Sequence, residues 1–293
     1  GEGLPAGNPG EPFVVLLDEG DFAQIPSSTT VAGTRVVTDE DHPVGVFTGI
    51  PCGFTGKGAC DHMEEMMMGV RLWGQSFVAA RMPVRRPSNP ERVIWQVAAS
   101  EDDTTVTFEA HEDVSGLPDA PLALNAGEVA QFGATGTESN PGDFRVEADK
   151  PIAMMSYMIG INDWEGDGDP AMMATSPIEQ FLPRYVILIP PTWENDYLLI
   201  TRKAGATVEL DDATESGWIH EGIGSDPARQ VSAPDDRGFG RVYSVAHGGD
   251  VVYSGGSGRV GAHCLEGGSA AEGSIPGVAR ELLVVDGGVY VLS

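Results

Sequence analysis

The sequence predicts an all-β fold built from duplicated, antiparallel β-sandwich-like modules with short strands and long polar loops. Three observations predict it. Short β-branched or aromatic runs dominate the chain, and many alternate apolar with polar residues. The 39 glycines and 21 prolines among 293 residues cluster between those runs, where turns need them. Third, the chain repeats itself. Thr34–Ile50 (TRVVTDEDHPVGVFTGI) is echoed by Phe144–Gly160 (FRVEADKPIAMMSYMIG), with Pro43 aligned to Pro151. Met67–Pro83 is echoed by Met172–Pro190, and Val93–Phe108 by Tyr197–Leu210, at offsets close to 105–108 residues. A period this long marks duplication of a subdomain rather than a short solenoid repeat.

Taken in order, the strand runs are FVVLLD from Phe13, TRVVTD from Thr34, VGVFTG from Val44, RVIWQVAAS from Arg92 and TTVTFEA from Thr104. EVAQFG, RVEAD, IAMMSYM, RYVILIP, YLLITRK and ATVELD follow, then RVYSVA, DVVYSG and ELLVVDGGVYVLS. No stretch keeps a 3.6-residue apolar period for three turns, and the best helix candidates are short, at Asp61–Met68 and Pro177–Leu182. LDEGDFAQI around Gly20, LNAGEVAQF around Gly127 and AHGGDVVYS around Gly249 share a turn, an acidic residue and an outgoing strand. These echoes divide the chain into a flexible N-terminal segment (1–12), a first β module (13–115), its duplicate (116–215) and a partial third element (216–293). The first and last strands are placed to pair, or the modules to exchange strands. Gly222–Asp236 and Glu266–Val278 read as polar loops.

Composition narrows the function. With 44 acidic against 17 basic residues the formal charge is −27, which repels phosphate backbones and anionic lipid. A nucleic-acid partner is therefore not expected, and no apolar run is long enough to span a membrane. The opening GEGLPAGNPGEP lacks a basic and an apolar leader region and reads as a mature or trimmed start. Cys52 and Cys60 bracket a glycine-rich polar loop, a setting that favours a disulfide over two buried thiols. Cys264 has no evident partner and reads as a small buried hydrophobe.

Few motifs carry chemistry. In ACDHMEEMMMG, Cys60, Asp61, His62 and Glu64 match no zinc spacing, so the string reads as a turn sending methionines inward. NDWEGDGDP places Asp163, Glu165, Asp167 and Asp169 at alternating positions between glycines, the kind of hard-oxygen loop that Ca²⁺ favours. Thr175 stands where an EF-hand would need its twelfth-position glutamate, so any calcium site is of a looser type. There is no GxSxG elbow, no HExxH and no Gly-rich phosphate turn, and no catalytic residue is assigned. Trp95 sits in a strand pattern and belongs to the core; Trp164, Trp193 and Trp218 sit in polar loops and are candidate binding residues.

The ordered strings HPVGVFTGIPC, ACDHMEEM, WGQSFVAARMP, VAASEDDTTVTF, LNAGEVAQF, VEADKPIAMMSYM, GDPAMMATSPIEQF and YLLITRKAGATVEL resemble the N-terminal domain family of the IgG Fc-binding protein. That domain also occurs widely in bacterial surface and secreted proteins, and this chain resembles a bacterial member. The resemblance covers roughly Val31 to Leu210. It implies a secreted or cell-surface, non-enzymatic module for binding or adhesion to a protein or glycan. The matching residues are fold-determining, so no particular ligand is carried over. A structural module within a larger extracellular assembly is the alternative, and a carbohydrate-active enzyme with two facing carboxylates is the third.

Overall fold

The computed structural model describes residues 10–56, 60–82, 84–86, 88–160, 168–187 and 197–202, and beyond them the backbone of the strands named below. In chain order the strands are β1 Phe47–Gly53, β2 Asp61–Met66, β3 Gly74–Ala79, β4 Val93–Ala99, β5 Thr104–Ala110, β6 Leu122–Leu124 and β7 Val129–Ala134. They continue with β8 Phe144–Met158, β9 Ala171–Thr175, β10 Tyr197–Arg202, β11 Glu209–Leu210, β12 Ala213–Thr214 and β13 His220–Ile223. The rest are β14 Ala228–Pro234, β15 Val242–Gly248, β16 Val251–Gly256, β17 Arg259–Cys264, β18 Ala271–Ser274, β19 Glu281–Val285 and β20 Gly288–Leu292. Helical structure among the described residues is confined to two single 3-10 turns, Val70–Leu72 and Ile178–Gln180, so no described helix is long and apolar enough to cross a membrane. The all-β expectation holds, with antiparallel sheets curled into a half-barrel.

The core lies on one seven-stranded sheet organised by β8, which is 15 residues long and has two neighbours along each side. Along one side β5 pairs with Phe144–Ala148 and β4 with Ile152–Met158; along the other, β3 pairs with the first half and β9 with Met154–Met158. The changeover falls at Pro151, the one residue of β8 that has no amide hydrogen to give to a ladder. The β3–β8 register shifts there, between Gly74 and Ser76, and the Pro151 carbonyl accepts from both the amide (3.2 Å) and the hydroxyl (2.6 Å) of Ser100. The bulge thus satisfies its own backbone while letting one strand serve four partners.

The strands form because their patterns fit this pleat. Val93, Trp95, Val97 and Ala99 of β4 are buried and alternate with half-buried residues. Phe144 and Val146 of β8, Val106 of β5 and Phe77 of β3 meet them. Trp95 stands edge-on to Phe144 at 5.2 Å between ring centroids, and Phe108 and Phe132 complete the aromatic group around Phe144.

The duplication is visible in the hydrogen-bond register. The β1–β2 pairs Phe47↔Met66, Thr48↔Glu65, Gly49↔Glu64 and Ile50↔Met63 recur in β8–β9 as Met155↔Ala174, Ser156↔Met173, Tyr157↔Met172 and Met158↔Ala171. Every residue is displaced by 108, the Pro43-to-Pro151 spacing, and the same displacement carries Val70–Leu72 onto Ile178–Gln180. The turns at Gly20 and Gly127 also match. Both glycines have positive φ, Asp21 and Glu128 each donate their amide to the residue three back, and each carboxylate accepts the amide of that same residue. The seven-stranded sheet takes β3, β4 and β5 from before residue 115 and β6 to β9 from after it, a strand sharing that the sequence left open.

Some expectations change. Asp61–Met66 is strand β2 and not a helix turn, because its backbone is claimed by Phe47–Ile50; the helical turn lies just beyond, at Val70–Leu72. Met66 is accordingly exposed rather than sent inward. The Gly222–Asp236 loop contains β14, which pairs along all of β10, and Glu266–Val278 contains β18. FVVLLD and TRVVTD read as strands, yet residues 10–46 contain none, and their apolar side chains are largely exposed. RYVILIP forms no strand over its described residues 184–187.

Removing the Phe144 ring leaves a cavity against Trp95, Phe108 and Phe132. Phe144→Ala is expected to lower the unfolding free energy by about 3–5 kcal/mol in urea denaturation, whereas Phe47→Ala on an exposed hairpin face costs under about 1 kcal/mol. Equal midpoints for the two variants would contradict this account of the core.

Candidate recognition surface

The two hairpins related by duplication end in the two loops that the sequence singled out. In the first copy the loop follows β1 and is closed by a disulfide between Cys52 and Cys60, with Cα atoms 5.0 Å apart. In the second copy the corresponding stretch leaves β8 at Met158 and rejoins β9 at Ala171, and contains Asn162–Pro170. Gly53, the last residue of β1, lets Met63 and Ile50 pack close: a Cβ there would stand 2.2 Å from the Met63 Cε and 2.7 Å from the Ile50 Cγ2, so both side chains would have to shift.

Thr55 ties the two loops together. It is buried between the cysteines, and its hydroxyl accepts the amide of Gly160 at 2.9 Å, while its carbonyl accepts from the Arg92 guanidinium. Next to this junction lies a buried charge cluster. Arg81 and Arg85 both reach Oε1 of Glu91, at 3.1 and 3.3 Å, and the Arg81 amide donates to Asp143 at 2.8 Å. Arg85 also donates to the Ile159 carbonyl at 2.6 Å, at the root of the acidic loop. At the far root a Cβ on Gly168 would stand 2.7 Å from the Arg85 guanidinium, and the φ of +124° there also calls for glycine. Arg85 therefore holds one root of the acidic loop, at Ile159, and lies against the other, at Gly168.

The electrostatics of the cluster follow from burial. Desolvation pushes the Asp143 carboxyl up to about 7, against the opposing pull of its Arg81 hydrogen bond and charge. Burial would also raise Glu91, but its backbone hydrogen bonds and the two arginines outweigh that and hold it below the ordinary carboxylate value. Burial draws Arg81 below the usual guanidinium value, with Glu91 and Asp143 opposing.

Solvent faces a different set of side chains. Phe54 projects from the disulfide loop at 64% exposure, and Phe47 from β1 at 70%. Asp61 and Glu64 give this hairpin an acidic rim, while the half-buried Glu65 accepts the Ala174 amide at 3.2 Å. His62 contacts Glu64 at 3.2 Å, both in solvent, and no cluster of three metal-ligating side chains exists among the described residues. Of the predicted site residues, Cys52 and Cys60 pair as expected, and Asp169 lies exposed beside Gly168. Asp163, Trp164, Glu165, Asp167, Trp193 and Trp218 lie outside the described residues. The sequence reading missed Thr55 and the Arg81–Arg85–Glu91–Asp143 cluster. A signal was present, since four arginines fall within residues 81–92 of a strongly acidic chain.

The fold and the site together define an antiparallel β-protein that presents a disulfide-closed hairpin loop braced by a buried charge cluster. The family model described as IgGFc binding protein matches residues 1–269, and the chain belongs to that family, a family of binding domains. No curated protein and no solved structure matches it.

The raised Asp143 value fixes a sign. A carboxyl whose folded-state pKa lies above its ordinary value of 3.8 contributes stability that is complete below that value and is lost as pH rises through about 7. The wild-type chain is expected to lose about 2 kcal/mol between pH 5.5 and pH 8 through this group, and Asp143→Asn to lose that slope. Denaturant titrations of both proteins at the two pH values check it; parallel pH profiles would refute it.

Proposed function

We propose that this chain is a secreted or cell-surface, non-enzymatic binding module that recognises a protein or glycan partner through its paired hairpin loops. The observation that carries the reading is Phe54, a solvent-exposed aromatic on a loop fixed by both a disulfide and the buried Thr55. An aromatic ring held this way loses little freedom on binding, which is the usual character of an interface anchor. The disulfide suits an oxidising, extracellular setting. A net charge of −27 favours a basic partner, or one bridged by cations, and an affinity that falls as salt rises. The family description points first to immunoglobulin Fc as the protein to try. Trp164, Trp193 and Trp218 are proposed as further contacts, and Asp163, Glu165, Asp167 and Asp169 as a loose calcium loop.

Biolayer interferometry on the full chain tests this, with IgG Fc fragment and a mucin-type glycan panel as analytes, in calcium and in chelator. Saturable binding to one of them is expected, weakened about tenfold or more by Phe54→Ala at unchanged melting temperature. Absence of binding to both at micromolar concentration, or full affinity in the Phe54→Ala variant, would end the proposal. Identical affinity and melting temperature in chelator would remove calcium from it.

A further inference from the structure

Displaced by 108 residues, β1 and β2 become the second half of β8 and β9, in the same register. The two copies differ on the edge that faces away from β2 and β9. There β8 pairs with β4, from Val93↔Met158 to Ala99↔Ile152, whereas β1 pairs with β2 alone among the described pairings. The register says which backbone groups this leaves. The Met67 amide donates to the Val46 carbonyl at 2.8 Å, so Val46 faces β2, and by alternation Phe47 and Gly49 turn their amides and carbonyls away from it. Their counterparts, Met155 and Tyr157, lie opposite Gln96 and Ile94 of β4.

Other edges of the described sheets are blunted. Glu65 accepts the Ala174 amide of β9 at 3.2 Å, and Glu179 accepts the amides of Gln75 and Ser76 of β3 at 2.7 and 3.1 Å. The Ser115↔Thr135 bridge closes the end of β7, and β6 is only three residues long. Such devices, with charge and proline, protect edge strands from added strands. Phe47–Ile50 has neither a charge nor a proline, and Phe47 and Ile50 are 70% and 45% exposed. Pro51 and the disulfide ring end the open stretch on one side.

We infer that the outer edge of β1 is a strand-acceptor site. It takes an extended segment of a partner protein as an added antiparallel strand, in the place that β4 holds on β8. The kind of segment follows from that place. β4 sends Val93, Trp95 and Val97 to its buried face, so the occupant is apolar at alternate positions. Its charge follows from the flanks. Asp61 and Glu64 on β2, and Asp39, Glu40 and Asp41 ahead of β1, are all exposed, which favours a segment carrying basic residues. A second copy of this chain, at −27, is repelled there. β4 itself is engaged on both sides, by β7 and β8. The edge is a surface distinct from the Phe54 ring, and its occupancy requires neither an Fc fragment nor a glycan.

The probe is a fluorescein-labelled peptide with the sequence of Arg92–Ser100, RVIWQVAAS, behind two added lysines, titrated into the full chain by fluorescence polarisation. Saturable binding at micromolar concentration is expected. Amide exchange read by NMR should slow about tenfold or more at Phe47 and Gly49, with Thr48 and Ile50 unchanged. N-methylation of the peptide at Ile94 and Gln96, whose amides face β8 in step with the Ser100 amide on Pro151, should abolish binding. N-methylation at Trp95 and Val97 should spare it. Phe47→Pro removes an outward donor that β2 does not use and should weaken binding about tenfold or more; should that variant misfold, the exchange pattern of the native chain decides. No saturation by about 100 μM peptide overturns the inference, as do equal effects of the two methylation patterns. Exchange changes confined to β8, the mark of a peptide displacing β4, also overturn it. A peptide-free dimer that protects Phe47 and Gly49 and is lost on dilution overturns it in favour of a second copy on this edge.

Discussion

One strand is asked to do more than a strand ordinarily can, and the rest of the described sheet depends on how it does so. β8 must pair with β5 and β3 over its first half and with β4 and β9 over its second. Pro151 makes the division possible. It withholds a donor where the ladders change over, bulges the strand, and offers its carbonyl to both the amide and the hydroxyl of Ser100. The aromatic group of Trp95, Phe108, Phe132 and Phe144 packs on the sheet so arranged. Because β8 crosses from one copy's strands to the next, the copies are joined by backbone hydrogen bonds and not by a side-chain interface alone.

That sharing explains what could and could not be read from the sequence. Strands such as β4 and β5 were legible because their alternation survives in the fold: Val93, Trp95, Val97 and Ala99 point to one side, as written. The duplication was legible for the same reason, and the spacing of Pro43 and Pro151 is the spacing of the ladders themselves. Asp61–Met66 was misread because three consecutive methionines and a cluster of acids resemble a helix turn locally, whereas the pairing partner lies 13 to 19 residues upstream at Phe47–Ile50. β14 was hidden in a segment whose polar composition looks like a loop until β10 pairs with it. Local pattern reports propensity; the partner decides.

The site was legible only in outline. Cys52 and Cys60 announced their bond through their loop context, and the acidic loop was visible as a string. That these are the same loop of two copies, joined through Thr55, depends on a side chain with no motif around it. The buried Arg81–Glu91–Arg85 group is likewise invisible to pattern reading, since arginines in sequence look solvated. Its arrangement suits a support and not a ligand contact: the charges are paired, desolvated and directed at the roots of the loop. What this support presents to solvent is the disulfide loop, and the family to which the chain belongs is one of binding domains.

The disulfide loop and the root of the acidic loop at Gly160 are mechanically coupled through the Thr55 hydroxyl. The most direct measurement is the exchange rate of the Gly160 amide, whose acceptor is the Thr55 hydroxyl, before and after Cys52 and Cys60 are both replaced by serine. Coupling predicts that opening the ring speeds exchange at Gly160 by about tenfold or more while amides of β4 stay protected. An unchanged Gly160 rate would show that the two loops move independently, and the coupling would have to be abandoned.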